Sequence, residues 1–271
     1  MNVGLTLPSF VRDPELPLRV ACAAERAGLD GVFVYDHLFR RAANGARRPA
    51  LEGTTLLAAV AAATVHIGVG ALVLRATLRP PETLAAALDS VRRVAGPRLL
   101  PTLGSGDHES REENESFGLG FRTMRDRVDD LRAAVVATRD RGYPIWVGGT
   151  SAAVRALAAE TADGWNRWGA GAERFRGDVA ALSALVRRDG FTFSWGGLFV
   201  VGRDDDEAAD KAARLRASPS TIVGGPRRVA DALLLYADAG ADWVMVGPVD
   251  STDPDTATIL GESVIPLLAS S

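Results

Sequence analysis

The 271-residue chain is poor in the residues that most often announce chemistry. Its single cysteine, Cys22, excludes an intrachain disulfide framework and any multi-cysteine zinc or iron–sulfur centre. Lying one helical turn after Leu18, Cys22 reads as a small core residue. The three histidines, His37, His66 and His108, show no HExxH or His-x-His spacing and no clustered carboxylate, so no metal site is expected. Lys211 is the one lysine among 31 basic residues. It stands in the charged run that begins at Asp204, a solvated helix face. Schiff-base catalysis needs a desolvated lysine, so an aldolase of that type is not expected. The formal net charge of -3 leaves no basic surface matched to nucleic-acid phosphates. The start, Met1-Asn2-Val3-Gly4-Leu5, lacks a basic segment followed by an apolar run, so a cytoplasmic protein without a secretory signal is expected. The longest apolar stretch, Thr54 to Leu74, changes pattern at Val65. It reads as a buried helix running into a buried strand, with no membrane span.

What the sequence does contain is alternation. Short apolar strand candidates (Val3–Pro8, Gly31–Tyr35, His66–Leu74, Arg98–Leu103, Pro144–Val147, Gly164–Trp168, Phe191–Val201 and Trp243–Gly247) are separated by alanine-rich helix candidates. The helices fall near residues 15–27, 51–63, 80–94, 121–141, 151–161, 172–189, 204–216 and 226–238, with a closing helix at 256–269. Such alternation means parallel strands covered by helices. A repeated joint supports it: Ala27-Gly28-Leu29-Asp30-Gly31 echoes Ala239-Gly240-Ala241-Asp242-Trp243, and Ala162-Asp163-Gly164 is a looser copy. In the first two, glycine can end a helix in a left-handed turn and aspartate precedes the next strand. Eight βα units in this length fit an α/β fold of the (β/α)₈ TIM-barrel type, one domain over residues 1–271. A doubly wound open sheet usually starts with a glycine-rich turn after its first strand, and Pro8-Ser9-Phe10-Val11-Arg12 has no glycine. The least regular insertion is the loop Phe39–Pro49 with Arg40, Arg41, Arg47 and Arg48. It reads either as a solvated connection or as a site loop that meets an anion.

In a barrel, functional residues gather where strands end. Those positions here are Asp36-His37, then Leu72 to Arg75 with Arg79, then Gly104-Ser105-Gly106-Asp107-His108-Glu109, Gly148-Gly149-Thr150-Ser151 and Trp165-Asn166-Arg167-Trp168. His37 is the leading proton-transfer candidate, with a satisfied structural histidine as the alternative reading. His66 starts a strand and faces the other end of the barrel. The two glycine turns offer backbone N–H groups to a phosphate or a ring edge, while Ser151 can cap the helix that follows.

Taken in order, these motifs resemble the bacterial-luciferase-like superfamily and, within it, the coenzyme F420-dependent oxidoreductases. The matching stretches are Ala24 to Leu38, Ile67 to Leu74 with Arg79-Pro80, Leu103 to Gly106, Pro144 to Gly149, Ala162 to Trp165, Val223 to Pro226 and Ala239 to Asp242. The resemblance implies a deazaflavin held at the C-terminal mouth of the barrel, bordered by Asp36, Val73, Ser105, Gly106, Ser110, Gly148, Gly149, Ser151 and Ala152. It also implies a non-proline cis peptide behind the cofactor ring, at Gly70–Ala71. His37 matches the proton-handling histidine of the group's sugar-phosphate dehydrogenases, and Asp107 matches their catalytic glutamate. The implied activity is hydride transfer between coenzyme F420 and a small organic substrate. The alternative is an FMN-dependent monooxygenase served by a separate reductase. Departures are visible: the lysines that hold sugar phosphate in those enzymes have no counterpart here, and the chain is shorter than many of the group. The expected partner is a small-molecule substrate, not nucleic acid or membrane, and such barrels often form homodimers. The arginines of the Phe39–Pro49 loop are placed to meet the oligoglutamate tail of the deazaflavin.

Overall fold

The computed structural model describes residues 1–42 and 44–269, so Ala43 in the Phe39–Pro49 loop and the last two residues of the 1–271 barrel span lie outside it. The first half runs β1 (Asn2–Thr6), α1 (Leu16–Arg26), β2 (Gly31–Val34), β3 (Phe39–Arg41), β4 (Arg47–Pro49), α2 (Gly53–Ala63), β5 (Gly68–Arg75), α3 (Pro81–Ala95), β6 (Leu99–Gly104), α4 (Arg111–Ser116) and α5 (Met124–Thr138). The second half runs β7 (Trp146–Gly148), α6 (Ala152–Thr161), β8 (Gly164–Trp168), α7 (Ala172–Ser183), β9 (Thr192–Val201), α8 (Asp205–Leu215), β10 (Ile222–Gly224), α9 (Pro226–Asp238), β11 (Trp243–Pro248) and α10 (Asp255–Ile259). A π-helical turn, Leu260–Val264, leads into α11 (Ile265–Leu268). Among the described residues no helix is long and apolar enough to cross a membrane.

Strands β1, β2, β5, β6, β7, β8, β9 and β11 pair in that order, all parallel, and β1 pairs back onto β11 with Val3 opposite Val244. This is the closed (β/α)₈ barrel that the alternation predicts. Two short pairings are additions: β3 and β4 make an antiparallel hairpin where the sequence suggests an irregular loop, and β10 adds onto the last residues of β9. The helices bury their apolar faces on the outside of the barrel, with Leu57, Leu84, Leu88 and Leu233 fully buried there. Inside the barrel, Phe33, Leu72, Trp146 and Met245 fill a separate cluster, so the barrel is plugged below its mouth.

The repeated joint has a clear physical job. Gly28 and Gly240 have φ of 84° and 100°, the left-handed turn that ends each helix without a Cβ clash. The aspartate that follows then links two neighbouring strands. Asp30 accepts the Val3 N–H on its carboxylate at 2.7 Å and the Gly68 N–H on its carbonyl at 2.9 Å. Asp163 does the same for Ile145 (2.9 Å) and Thr192 (3.0 Å), and Asp242 for Phe193 (2.8 Å) and Asn2 (2.8 Å). Glu25, in α1, adds a link of another kind, its carboxylate accepting the N–H groups of Val65, His66 and Ile67 and so tying the helix to the turn before β5. His66 is exposed at this end, as its place in the sequence predicts, and the half-buried Cys22 bonds the Ala63 carbonyl.

One expectation is corrected. The cis peptide bond lies between Leu72 and Val73, not at Gly70–Ala71. Gly70 and Ala71 keep regular register with β2 and β6, and the register with β6 shifts only between Ala71 and Leu74. That irregularity lets two consecutive side chains, Leu72 and Val73, both face inward.

Candidate functional site

Strand β2 delivers Asp36 and His37 to the mouth, and their side chains go to different partners. The Asp36 carboxylate is fully buried and receives both guanidinium nitrogens of Arg79, at 2.7 and 2.8 Å, and the Arg75 N–H at 2.8 Å. Arg79 also bonds Glu52, the N-cap of α2. Burial raises the Glu52 pKa, but the Thr55 N–H and the Arg79 cation outweigh it and bring the group down to about 2. This lattice closes the ends of β2 and β5 against each other, and it leaves Asp36 no surface with which to touch a ligand.

His37 instead finds Glu113. Its Nδ1 lies 2.7 Å from Glu113 Oε1, while Oε2 accepts from Arg75 Nη2 at 2.5 Å and from the Leu38 N–H at 3.2 Å. Arg75 is itself buried and fixed by the Asp36 carbonyl at 2.8 Å. Burial works against the charged form of Glu113, yet the His37 bond, the His37 and Arg75 charges and the Leu38 N–H hold its carboxyl below the usual range. An ionised Glu113 only accepts hydrogen bonds, so Nδ1 of His37 is the donor and Nε2 of the neutral ring is an acceptor. Nε2 has no hydrogen-bond partner among the described residues. The ring, one third exposed, stands 5.5 Å from Phe10 and 6.5 Å from Tyr35. Tyr35 meets Trp168 edge-on at 6.4 Å, and the Trp168 indole covers Gly196 in the middle of β9 and Gly247 near the end of β11. Burial pushes the Tyr35 phenol up to about 12, against its bond to Thr6 and the charge of Arg40.

Asp107, the residue matched to a catalytic glutamate, is exposed and accepts the N–H and hydroxyl of Ser110 at 3.0 and 2.9 Å. It caps the turn His108–Ser110 and makes no bond to His37. The carboxylate beside His37 is thus Glu113, which sequence reasoning missed. The acidic run around it, with Glu109, Glu112 and Glu115, falls outside every predicted helix, and nothing in the linear spacing says which member turns inward.

On the other side of the mouth the site is made of backbone. Val73 is half-buried, and its methyl groups occupy the space that a Cβ at Gly104 or Gly148 would need. Three strand ends therefore come together with almost no side chain between them. Ser105 is buried beside Gly104, and Gly106 turns with φ of 69°. The strand-five turn is locked by the Trp165 indole N–H on the Gly149 carbonyl at 2.8 Å and the Gly149 N–H on the Asn166 carbonyl at 3.2 Å. Ser151 caps α6 by accepting the Val154 N–H, which leaves the N–H groups of Ala152 and Ala153 without an acceptor among the described residues. Gly70 and Ala71, by contrast, lie deeper in the barrel wall: a Cβ at Gly70 would meet Phe33 and the Leu100 carbonyl, and Ala71 is fully buried.

Positive charge concentrates beside this turn. Arg155, Arg167 and Arg174 all point to one buried carboxylate, Asp178, at 3.3, 3.5 and 3.6 Å. Arg167 Nε is buried and meets this carboxylate at 3.5 Å. The open N-terminus of α6, with Arg155 bonded to the Thr150 carbonyl beside it, fits the phosphate of a flavin-type cofactor. The glycine-backed face over Val73 fits the flat ring of the same group.

Comparison with known proteins bears on the fold and the family. The family model for luciferase-like monooxygenases matches residues 1–221. The F420-dependent glucose-6-phosphate dehydrogenase of Beutenbergia cavernae is 35% identical over 126 residues, 46% of this chain and 35% of that protein, so the match spans about a third of the relative's length. Among solved structures, an F420-dependent secondary alcohol dehydrogenase in complex with an F420–acetone adduct superposes with a TM-score of 0.81 at 16% identity, covering 98% of each chain. A riboflavin lyase with modified FMN and riboflavin gives 0.81 at 16%, covering 100% of this chain and 91% of that one. The barrel, its glycine-backed mouth and the match over residues 1–221 converge on one conclusion: the chain belongs to the luciferase-like monooxygenase family.

Proposed function

We propose that this protein is a coenzyme F420-dependent oxidoreductase that moves hydride between the deazaflavin and a small organic substrate. The observation that carries the reading is His37, held by Glu113 so that an unpartnered Nε2 stands at the mouth. The F420 dependence of both the glucose-6-phosphate dehydrogenase relative and the alcohol dehydrogenase neighbour points the same way. When bound, the deazaflavin supplies or accepts hydride and no proton, which leaves one proton for the protein to manage. His37 handles it at Nε2. Glu113 stabilises the imidazolium form through Nδ1, and Arg75 keeps Glu113 ionised and in place. Val73, Ser105, Gly106, Gly148 and Gly149 would back the ring, while the N–H groups of Ala152 and Ala153 would hold the phosphate. In this scheme Asp36 and Ser110 support the site from behind, and Asp107 shapes the strand-four turn.

Titrating the purified protein with oxidised F420 and, separately, with FMN, followed by fluorescence, tests the reading. Micromolar or tighter binding of F420 alone is the expected result. Preference for FMN would move the assignment to the monooxygenase alternative, which the equal likeness to the FMN-containing lyase keeps in view.

A further inference from the structure

Four arginines stand on the β3–β4 hairpin, and the structure commits only three of them. Arg41 bonds Glu112 at 2.9 Å through Nε and the Gly45 carbonyl at 2.6 Å. Arg47 bonds Ser116 at 2.6 Å with its guanidinium 4.3 Å from the Phe39 ring, and Arg48 donates to the Phe10 carbonyl at 3.0 Å. These contacts fasten the hairpin to α4 and to the loop after β1. The Arg40 side chain has no carboxylate partner and no hydrogen bond among the described residues. Its guanidinium lies over the face of Phe10, 5.6 Å from the ring centre.

Phe10 is also the ring that packs on His37, and from His37 the aromatic row continues through Tyr35 to Trp168. Arg40 therefore stands at one end of a row of flat, apolar rings, with the proton-handling imidazole one ring away. Its charge reaches the Tyr35 phenol. Five donors in a fixed fork, left unspent, match a carboxylate or another acidic oxygen group better than any neutral one.

We propose that the substrate is a small organic acid: the aromatic row takes its apolar body and Arg40 takes its acidic group. The inference rests on the hydride-transfer reading for its chemistry, but the binding preference can be measured without turnover.

The probes are 3-phenylpropionate and its amide, equal in shape and different in charge, titrated by calorimetry into the wild-type protein, Arg40→Gln, Arg40→Lys and Arg48→Gln, with F420 binding measured on each. A charge-assisted pair predicts that the wild type binds the acid about tenfold or more tightly than the amide. Arg40→Gln abolishes that preference, Arg40→Lys restores part of it, and Arg48→Gln leaves it unchanged. Equal binding of acid and amide, binding of neither, or a preference that survives Arg40→Gln overturns the proposal. So does a loss of F420 affinity in Arg40→Gln with the acid–amide ratio intact, which would assign the guanidinium to the cofactor tail. An acid preference that depends on Arg40 in a protein that binds no F420 would support this site and sink the hydride-transfer reading instead.

Discussion

The two ends of this barrel are built by different rules. At the bottom one device recurs: a carboxylate just before a strand, Asp30, Asp163 or Asp242, joins its two neighbours by the same pair of hydrogen bonds, and Glu25 ties α1 to the turn before β5. At the mouth nothing repeats. Strands β2 and β5 end in a buried ionic lattice, β6 and β7 in bare backbone, and β8 in an arginine and a tryptophan. Repetition marks what every βα unit needs in order to close, and its absence marks where each unit has been given separate work.

Substitutions at either end test this contrast. The largest expected effect is at the mouth. His37→Ala should lower turnover by about 10²–10⁴-fold, the usual worth of a positioned acid–base group, while thermal stability stays close to wild type. Unchanged turnover would point to a non-catalytic carrier. Next comes the lattice behind the site, where Arg79→Ala leaves the buried Asp36 carboxylate without its partner. Denaturant unfolding should show a loss of roughly 3–5 kcal/mol, the range for breaking a buried pair. At the bottom, Asp242→Ala should cost roughly 1–2 kcal/mol for one partly exposed charge-assisted hydrogen bond, with F420 affinity unaltered. A change in affinity there would erase the distinction between the two ends.

The smallest effect is a pH dependence. Glu52 and Glu113 have pKa values lowered in the folded protein, so their contribution is present above the ordinary carboxylate range and is lost as pH falls. For Glu52 the loss runs from its usual value of 4.5 down to about 2. Glu52→Gln should flatten the acid limb of the stability curve over that window, and an unchanged limb would show that the Glu52–Arg79 bond contributes nothing.

The bottom of the barrel was readable in the sequence because its device is local: glycine, then one residue, then aspartate, then a strand. All eight barrel strands and the position of His37 follow from the same short-range patterns. The mouth was readable only in outline. Glu113 reaches His37 across 76 positions and Arg79 reaches Asp36 across 43, and separations of that kind leave no periodic trace. Asp107 illustrates the cost, since it stands where a family match puts an acid yet spends its carboxylate on Ser110. The β3–β4 hairpin escaped because its strands carry exposed arginines in place of an apolar alternation.

The pairing of β1 with β11 makes closure of the barrel a contact between strands far apart in sequence. Asn2 lies opposite Trp243, so the outer edge of β1 stays uncovered until β11 has docked. Until then β1 and β9 each present a row of unpaired backbone groups, the kind of edge that recruits other chains. A barrel in which β11 has not docked therefore has a ring of strands with a gap in it, and seating that one strand removes both open edges together.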